Sequence, residues 1–229
     1  METGKNWKSA VKTTIPVMAG YLVLGAGFGI SLQTRGYGLV WALAMSIFIY
    51  AGSMEYVAID LLTGGASLIT AAVTTLLVNA RHLFYGISML ERYRRAGRYA
   101  PYLIFSLTDE TYSLLAARQD LSAPACFRIS LLDQFYWVLG TALGSLAGSY
   151  LQFDTTGIDF SLTALFLTVF TEQWLETKDH SSALIGLGVS IVCRLVFGAD
   201  SFLLPTMGGM LCCLLVLDAH RTKKGGESA

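Results

Sequence analysis

Eight stretches of 16 to 25 residues run through the chain with few charges: Thr14–Leu32, Gly38–Leu62, Ala66–Leu90, Pro101–Ala117, Phe127–Leu151, Phe160–Leu175, Ser182–Gly198 and Ser201–Leu217. At 1.5 Å per residue such stretches can cross a hydrocarbon layer about 30 Å thick, although the last three are short for full spans. A soluble chain of 229 residues has no interior able to hide so many apolar helices, because its surface would be made of the same segments. Composition agrees, with 14% charged residues against about a quarter in soluble domains. The expectation is an all-α polytopic membrane protein. One membrane domain covers residues 1–217, and a short polar cytoplasmic tail follows at 218–229.

Many of the 23 glycines fall inside these segments. In water each would cost a helix about 1 kcal/mol relative to Ala, whereas in a membrane small residues let helices approach closely. The four cysteines, Cys126, Cys193, Cys212 and Cys213, have no metal-ligand spacing. A formal net charge of zero gives no sign of a nucleic-acid partner. The polar, basic start leads into an apolar run without a small-residue cleavage signature, which reads as an uncleaved first helix.

The segments contain a repeat. Tyr21–Gly29 (YLVLGAGFG) resembles Tyr136–Gly144 (YWVLGTALG), so Gly25 and Gly29 correspond to Gly140 and Gly144 at an offset of 115. Phe48–Glu55 (FIYAGSME) has a counterpart at Val169–Glu172 (VFTE), and Arg81–Gly86 (RHLFYG) one at Arg194–Gly198 (RLVFG). The order is the same in both halves, which points to a duplicated four-segment unit over approximately 14–117 and 127–217. Basic flanks prefer the cytoplasm. Lys5, Lys8 and Lys12 place the amino terminus there, Arg221, Lys223 and Lys224 the carboxyl terminus, and Arg92, Arg94, Arg95 and Arg98 the central loop. Three full crossings before that loop would put it outside. Two arrangements stand: one of the first three segments is re-entrant or broken, giving two inverted units of three crossings each, or eight plain spans leave one loop violating the rule.

Ionisable groups in a membrane are costly and therefore functional candidates. Gly52 and Ser53 permit a helix break, and Glu55 follows at once; it either binds a substrate amine or a proton, or pairs with Arg81. Asn79, Arg81 and His82 form a second group. Arg81 suits a substrate carboxylate through a bidentate fork, or snorkels toward the Arg92 cluster. Asn79 and Arg81 share a site only if the helix is broken between them. His82 titrates near neutrality or is a stacked structural residue. The third and strongest group is Thr108, Asp109 and Glu110, two adjacent carboxylates in mid-segment with Thr108 able to cap a half-helix. Glu172 and Arg194 occupy the matching positions of the second half, while Asp133 sits near a segment end and reads as structural. No GxSxG, HExxH, phosphate loop or Cys/His cluster is present, so neither enzyme chemistry, a cofactor nor a metal is expected.

The ordered stretches Tyr50–Leu62 (YAGSMEYVAIDLL), Asn79–Gly86 (NARHLFYG) and Phe105–Leu115 (FSLTDETYSLL) resemble the AzlC-type branched-chain amino acid permeases, and the likeness runs from about Lys12 to Leu217. That resemblance implies export of leucine, isoleucine, valine and related hydrophobic amino acids from bacteria across the plasma membrane, together with a small AzlD-type membrane subunit. It assigns Asn79, Arg81 and His82 to an Asn-x-Arg-His element, Thr108, Asp109 and Glu110 to a Thr-Asp-Glu element, and Gly52-Ser53 to a small-residue break. Glu55 departs from a glutamine common in the family. A substrate amine would then sit near Asp109 or Glu110 and its carboxylate near Arg81 or a half-helix amino terminus, with a proton on Glu55, Asp109 or Glu110 as the coupling ion. A channel or facilitator, or a non-transporting scaffold, are the other classes this composition allows.

Overall fold

The computed structural model describes residues 6–118, 120–150, 167, 170, 171, 174, 175, 179–202, 205, 206, 208–210 and 212–217. Among them the regular structure is helical and no strand occurs. The chain forms two compact units, Met1–Leu165 and Phe166–Ala229.

Two 28-residue helices frame the first unit, α1 (Trp7–Thr34) and α8 (Ala123–Tyr150). Asn6 caps α1 by accepting from the Ser9 N–H at 2.9 Å. The pair touches along a seam of small residues. A Cβ on Gly25 would lie 2.8 Å from the Trp137 carbonyl oxygen, and one on Gly140 would lie 2.8 Å from those of Tyr21 and Leu22. Gly29 is against the backbone of Thr141 to Ser145, Gly144 against Ala26, and Gly148 against Gln33. Residue numbers rise together along both helices, so α1 and α8 run parallel. The stretches that resemble each other in sequence therefore lie side by side, with Gly25 opposite Gly140 and Gly29 opposite Gly144. Inverted units would have set their first helices antiparallel. That expectation is corrected here, because apolar periodicity has the same form for either direction.

Between α1 and α8 the chain makes two hairpins and one long bent helix. After the Gly36 turn (φ 88°), α2 (Leu39–Phe48) descends from the carboxyl end of α1. The Ile47 carbonyl accepts from Gln134 Nε2 at 3.1 Å, and the chain then reverses at Tyr50, whose φ of 45° is uncommon for a residue with a Cβ. Helix α3 (Gly52–Thr63) climbs back: Gly52 lies under the Trp137 ring, and the Tyr56 hydroxyl donates to the Leu24 carbonyl at 2.8 Å. Both ends of this hairpin therefore lie at the carboxyl end of α1.

Helices α4 (Leu68–Val78) and α5 (Arg81–Arg94) follow, bent by 51° at Asn79-Ala80. Met89 and Tyr93 of α5 share one apolar cluster with Ala10 of α1 and with Ala125, Cys126 and Ile129 of α8. The bent pair thus runs the whole length of α1 in the opposite sense.

A 3₁₀ turn (Gly97–Tyr99) opens the second hairpin, α6 (Ala100–Phe105) and α7 (Asp109–Ala116). It enters beside the first turns of α8, where Tyr99 and Tyr102 meet the Phe127 ring at 5.3 and 5.1 Å. It breaks at Ser106–Thr108 and returns to the same end. There the Arg92 guanidinium donates to the carbonyls of Leu115, Arg118 and Leu121 at 2.7, 3.0 and 3.3 Å. The fourth apolar segment is therefore two helices of six and eight residues that enter and leave at one end, which a plain span would not do.

In the second unit α9 (Ser181–Ser201) bends at Gly198 (φ 76°), and Arg194 lies over the Phe202 ring at 5.2 Å. A shorter apolar helix covers Gly208–Leu217. Glu172, the second-half counterpart of Glu55, and the polar tail at 218–229 lie outside the described residues. Among the described residues Trp7–Thr34 and Ser181–Gly198 are long and apolar enough to cross a membrane, and the α4–α5 pair is a third span if counted as one.

Candidate functional site

Three interruptions of helical backbone meet about halfway along α1: Tyr50-Ala51, Asn79-Ala80 and Ser106–Thr108. Each releases a new helix whose first turn carries a polar side chain, and these side chains interlock. Arg81, the first residue of α5, places Nε 3.0 Å from Asp109 Oδ1 at the start of α7. Its Nη2 donates to Ser53 Oγ at the start of α3. The two charged side chains are each 33% exposed, while the facing Nε and Oδ1 atoms themselves are buried. The Nε–Oδ1 approach lacks hydrogen-bond alignment, which makes this contact chiefly Coulombic.

The neighbouring carboxylates are held differently. Glu110 accepts from the Tyr21 hydroxyl at 2.7 Å, and that hydroxyl also meets Thr108 Oγ1 at 2.7 Å. Thr108 caps α7 as expected, accepting from the Thr111 N–H at 3.3 Å. Glu55 is 0% exposed and does not touch Arg81. Trp137 Nε1 donates to both of its oxygens at 3.1 and 3.2 Å, the Ala51 N–H donates at 3.1 Å and Ser46 Oγ at 3.4 Å. The pairing of Glu55 with Arg81 that the sequence allowed is thus replaced by neutral donors. Burial of a carboxylate demands such donors, because an unpaired buried ion is far more costly.

Asn79 caps α4 and Arg81 opens α5, so the bend turns them to different surroundings. Asn79 and His82 line an apolar groove of about 920 Å³ with Ile49, Leu76, Leu83 and Phe105. The His82 ring lies 3.1 Å through Nδ1 from the Asn79 carbonyl and packs edge-on against Tyr85. Toward the amino end of α1, α5 and α7 continue as a ladder. Tyr85 and Tyr112 stack at 4.4 Å, the Tyr112 hydroxyl donates to Ser88 at 3.1 Å, and a cavity of about 690 Å³ lined by Ser88, Glu91, Arg92 and Tyr112 lies beyond.

Two residues that hold these groups escaped the reading of the sequence, and a third, Asp133, reads there only as structural. Tyr21 and Trp137 pass for ordinary aromatics of the repeated YxVLG stretches, and their acidic partners are 89 and 82 residues away. Asp133 is 0% exposed, with Thr111 Oγ1 donating to Oδ2 at 2.9 Å and Oδ1 lacking a hydrogen-bond partner among the described residues. No group of three or more His, Cys, Asp or Glu able to hold a metal occurs among the described residues.

The arrangement offers a cation, an anion and an apolar groove at one set of helix breaks. A family model described as AzlC protein matches residues 16–151, the stretch that holds every one of these breaks. The chain belongs to the AzlC family. It is 44% identical over 218 residues to the branched-chain amino acid transport protein AzlC of Bacillus subtilis, covering 92% of this chain and 85% of that one. An uncharacterized membrane protein of Helicobacter pylori is 42% identical, with 93% and 95% covered. Inner membrane protein YgaZ of Escherichia coli is 26% identical, with 90% and 87% covered. No solved structure matches. As an AzlC-family chain with long apolar helices, this is a membrane protein.

Proposed function

We propose that this AzlC-family chain exports branched-chain and related hydrophobic amino acids across a bacterial plasma membrane. It would do so with a small AzlD-type subunit and with protons as the coupling ion. The observation that carries the reading is the Ser53–Arg81–Asp109 junction, an ion pair one-third exposed at the convergence of three helix breaks. A zwitterionic amino acid can take over both halves of such a pair, its carboxylate on Arg81 and its ammonium on Asp109. The substrate's two charges then stand in for the partner that each of these groups gives up, so neither part-buried charge is left unpaired. The groove beside Asn79 and His82 would receive the branched side chain, at about 1–3 kcal/mol of discrimination per methylene. Support for transport of these substrates comes from the Bacillus relative, whose name states that activity.

The same geometry supports a topology. Lys8, Lys12, Arg92, Arg94, Arg95, Arg98 and Arg118 belong to parts of the first unit at the amino ends of α1 and α8. If that end is cytoplasmic, α2–α3 enters from outside, α6–α7 enters from the cytoplasm, and α1, α4–α5 and α8 cross. Irregular backbone at membrane depth is tolerated where it is buried in protein or lines a cavity, which describes all three breaks. By the same rule we read Arg221, Lys223 and Lys224 as putting the carboxyl terminus in the cytoplasm.

Leucine efflux from preloaded proteoliposomes, with this chain alone and with its small partner, is the direct test. Efflux that rises with an imposed pH gradient is expected, and no efflux of any branched-chain amino acid in either preparation would end the proposal. The coupling part fails separately if Glu55→Gln, Asp109→Asn and Glu110→Gln, made in turn, all leave pH-gradient-driven efflux unchanged.

A further inference from the structure

Two carboxyl groups of the first unit are joined by an unbroken chain of hydroxyls. From Glu110 Oε2 the path runs to the Tyr21 hydroxyl (2.7 Å), to Thr108 Oγ1 (2.7 Å), to Thr111 Oγ1 (3.1 Å) and to Asp133 Oδ2 (2.9 Å). Tyr21, Thr108, Thr111 and Asp133 are buried, and the elements involved are α1, α7 and α8. Each hydroxyl can donate one hydrogen bond and accept another. Four bonds joining three hydroxyls and two carboxyls are satisfied in just two ways, provided one proton resides on the pair. With that proton on Glu110, every donor points toward Asp133; with it on Asp133, every donor points toward Glu110.

We infer that Asp133 is a proton-binding residue that shares a single proton with Glu110 through the Tyr21–Thr108–Thr111 hydroxyl chain. Transfer breaks the O–H bonds of Glu110, Tyr21, Thr108 and Thr111 and forms those of Tyr21, Thr108, Thr111 and Asp133. No electrons change hands, and one negative charge moves from Asp133 to Glu110. The remaining ionisable groups that face this chain are Tyr50 at the α2–α3 break, Tyr85 on α5, Tyr102 on α6 and Asp109 beside Glu110. The hydroxyl of Tyr50 and Oδ1 of Asp133 are both buried without a hydrogen-bond partner among the described residues. Glu110 neighbours Asp109, so the location of the shared proton sets the charge next to the Arg81–Asp109 pair.

This inference rests on the exporter reading for its role in coupling, but the shared proton is testable without transport. In infrared titrations of the purified protein, Asp133→Asn is expected to move the Glu110 protonation midpoint by about one pH unit, and Glu110→Gln to do the same to Asp133. Midpoints unmoved in both variants would overturn the shared site. In proteoliposomes Thr111→Val, which cuts the chain, should depress gradient-driven efflux at least about tenfold more than it depresses leucine exchange, with Thr111→Ser restoring the ratio. Equal depression of both activities, or no rescue by serine, would overturn the relay. A wild-type protein that moves no branched-chain amino acid would end the exporter reading while leaving the infrared result to decide the shared proton.

Discussion

The two hairpins of the first unit are built alike and equipped differently. Each enters as a short helix, from opposite ends of α1, breaks halfway along it and returns as a second helix with an acid in its first turn, Glu55 in α3 and Asp109-Glu110 in α7. Yet Glu55 is sealed behind the Trp137 indole and held by neutral donors, whereas Asp109 faces a cation at a partly open junction. A carboxylate at a helix break therefore has no role fixed by its position. Its neighbours decide whether it anchors the hairpin or meets a ligand, and in the proposed exporter the ligand-facing role falls to α7.

That contrast can be broken most severely at Arg81, which serves α7 and α3 together. Arg81→Ala leaves Asp109 without its partner, and truncating a part-buried pair of this kind costs about 2–3 kcal/mol. Leucine transport measured in vesicles should fall about a hundredfold. Asp109→Asn against Glu55→Gln separates the hairpins next. The first should raise the apparent KM for leucine by about tenfold or more, as a lost charge-assisted contact does, and the second should leave it within about twofold. Equal KM effects would erase the distinction.

Trp137→Phe removes the indole N–H beneath Glu55 while preserving the ring against Gly52. A buried carboxylate losing one donor costs about 1–3 kcal/mol, seen as a thermal midpoint lowered by several degrees with substrate affinity retained. Smallest of all, Tyr112→Phe deletes one bond to the exposed Ser88 and keeps the stack on Tyr85. Its expected effect on stability is below about 1 kcal/mol, read by the same melting measurement.

The breaks themselves were legible in the sequence. Gly52-Ser53, Asn79-Ala80-Arg81 and Thr108-Asp109-Glu110 place polar groups where an uninterrupted apolar helix could not satisfy them, and each marks a helix start. What sequence could not show is which partner each group takes. Glu55 reads equally well with Arg81 or with a proton, and nothing local distinguishes Trp137 from a packing aromatic. Asp133 looked peripheral because the apolar run begins at Phe127. Helix α8 begins at Ala123, putting Asp133 nearly three turns inside. The direction of α8 relative to α1 was equally hidden, since a glycine stripe marks a contact without giving its sense.

The glycine seam between α1 and α8 has a bearing on motion. With Gly25, Gly29, Gly140 and Gly144 set against backbone, sliding or turning either helix would bring larger neighbours into contacts that even a methyl group could not make. The pair is in effect a fixed post. If the proposed exporter opens toward one side of the membrane and then the other, the parts of the first unit suited to move are those that lean on the post: the two hairpins and the bent α4–α5 helix, hinged where their backbones are already interrupted.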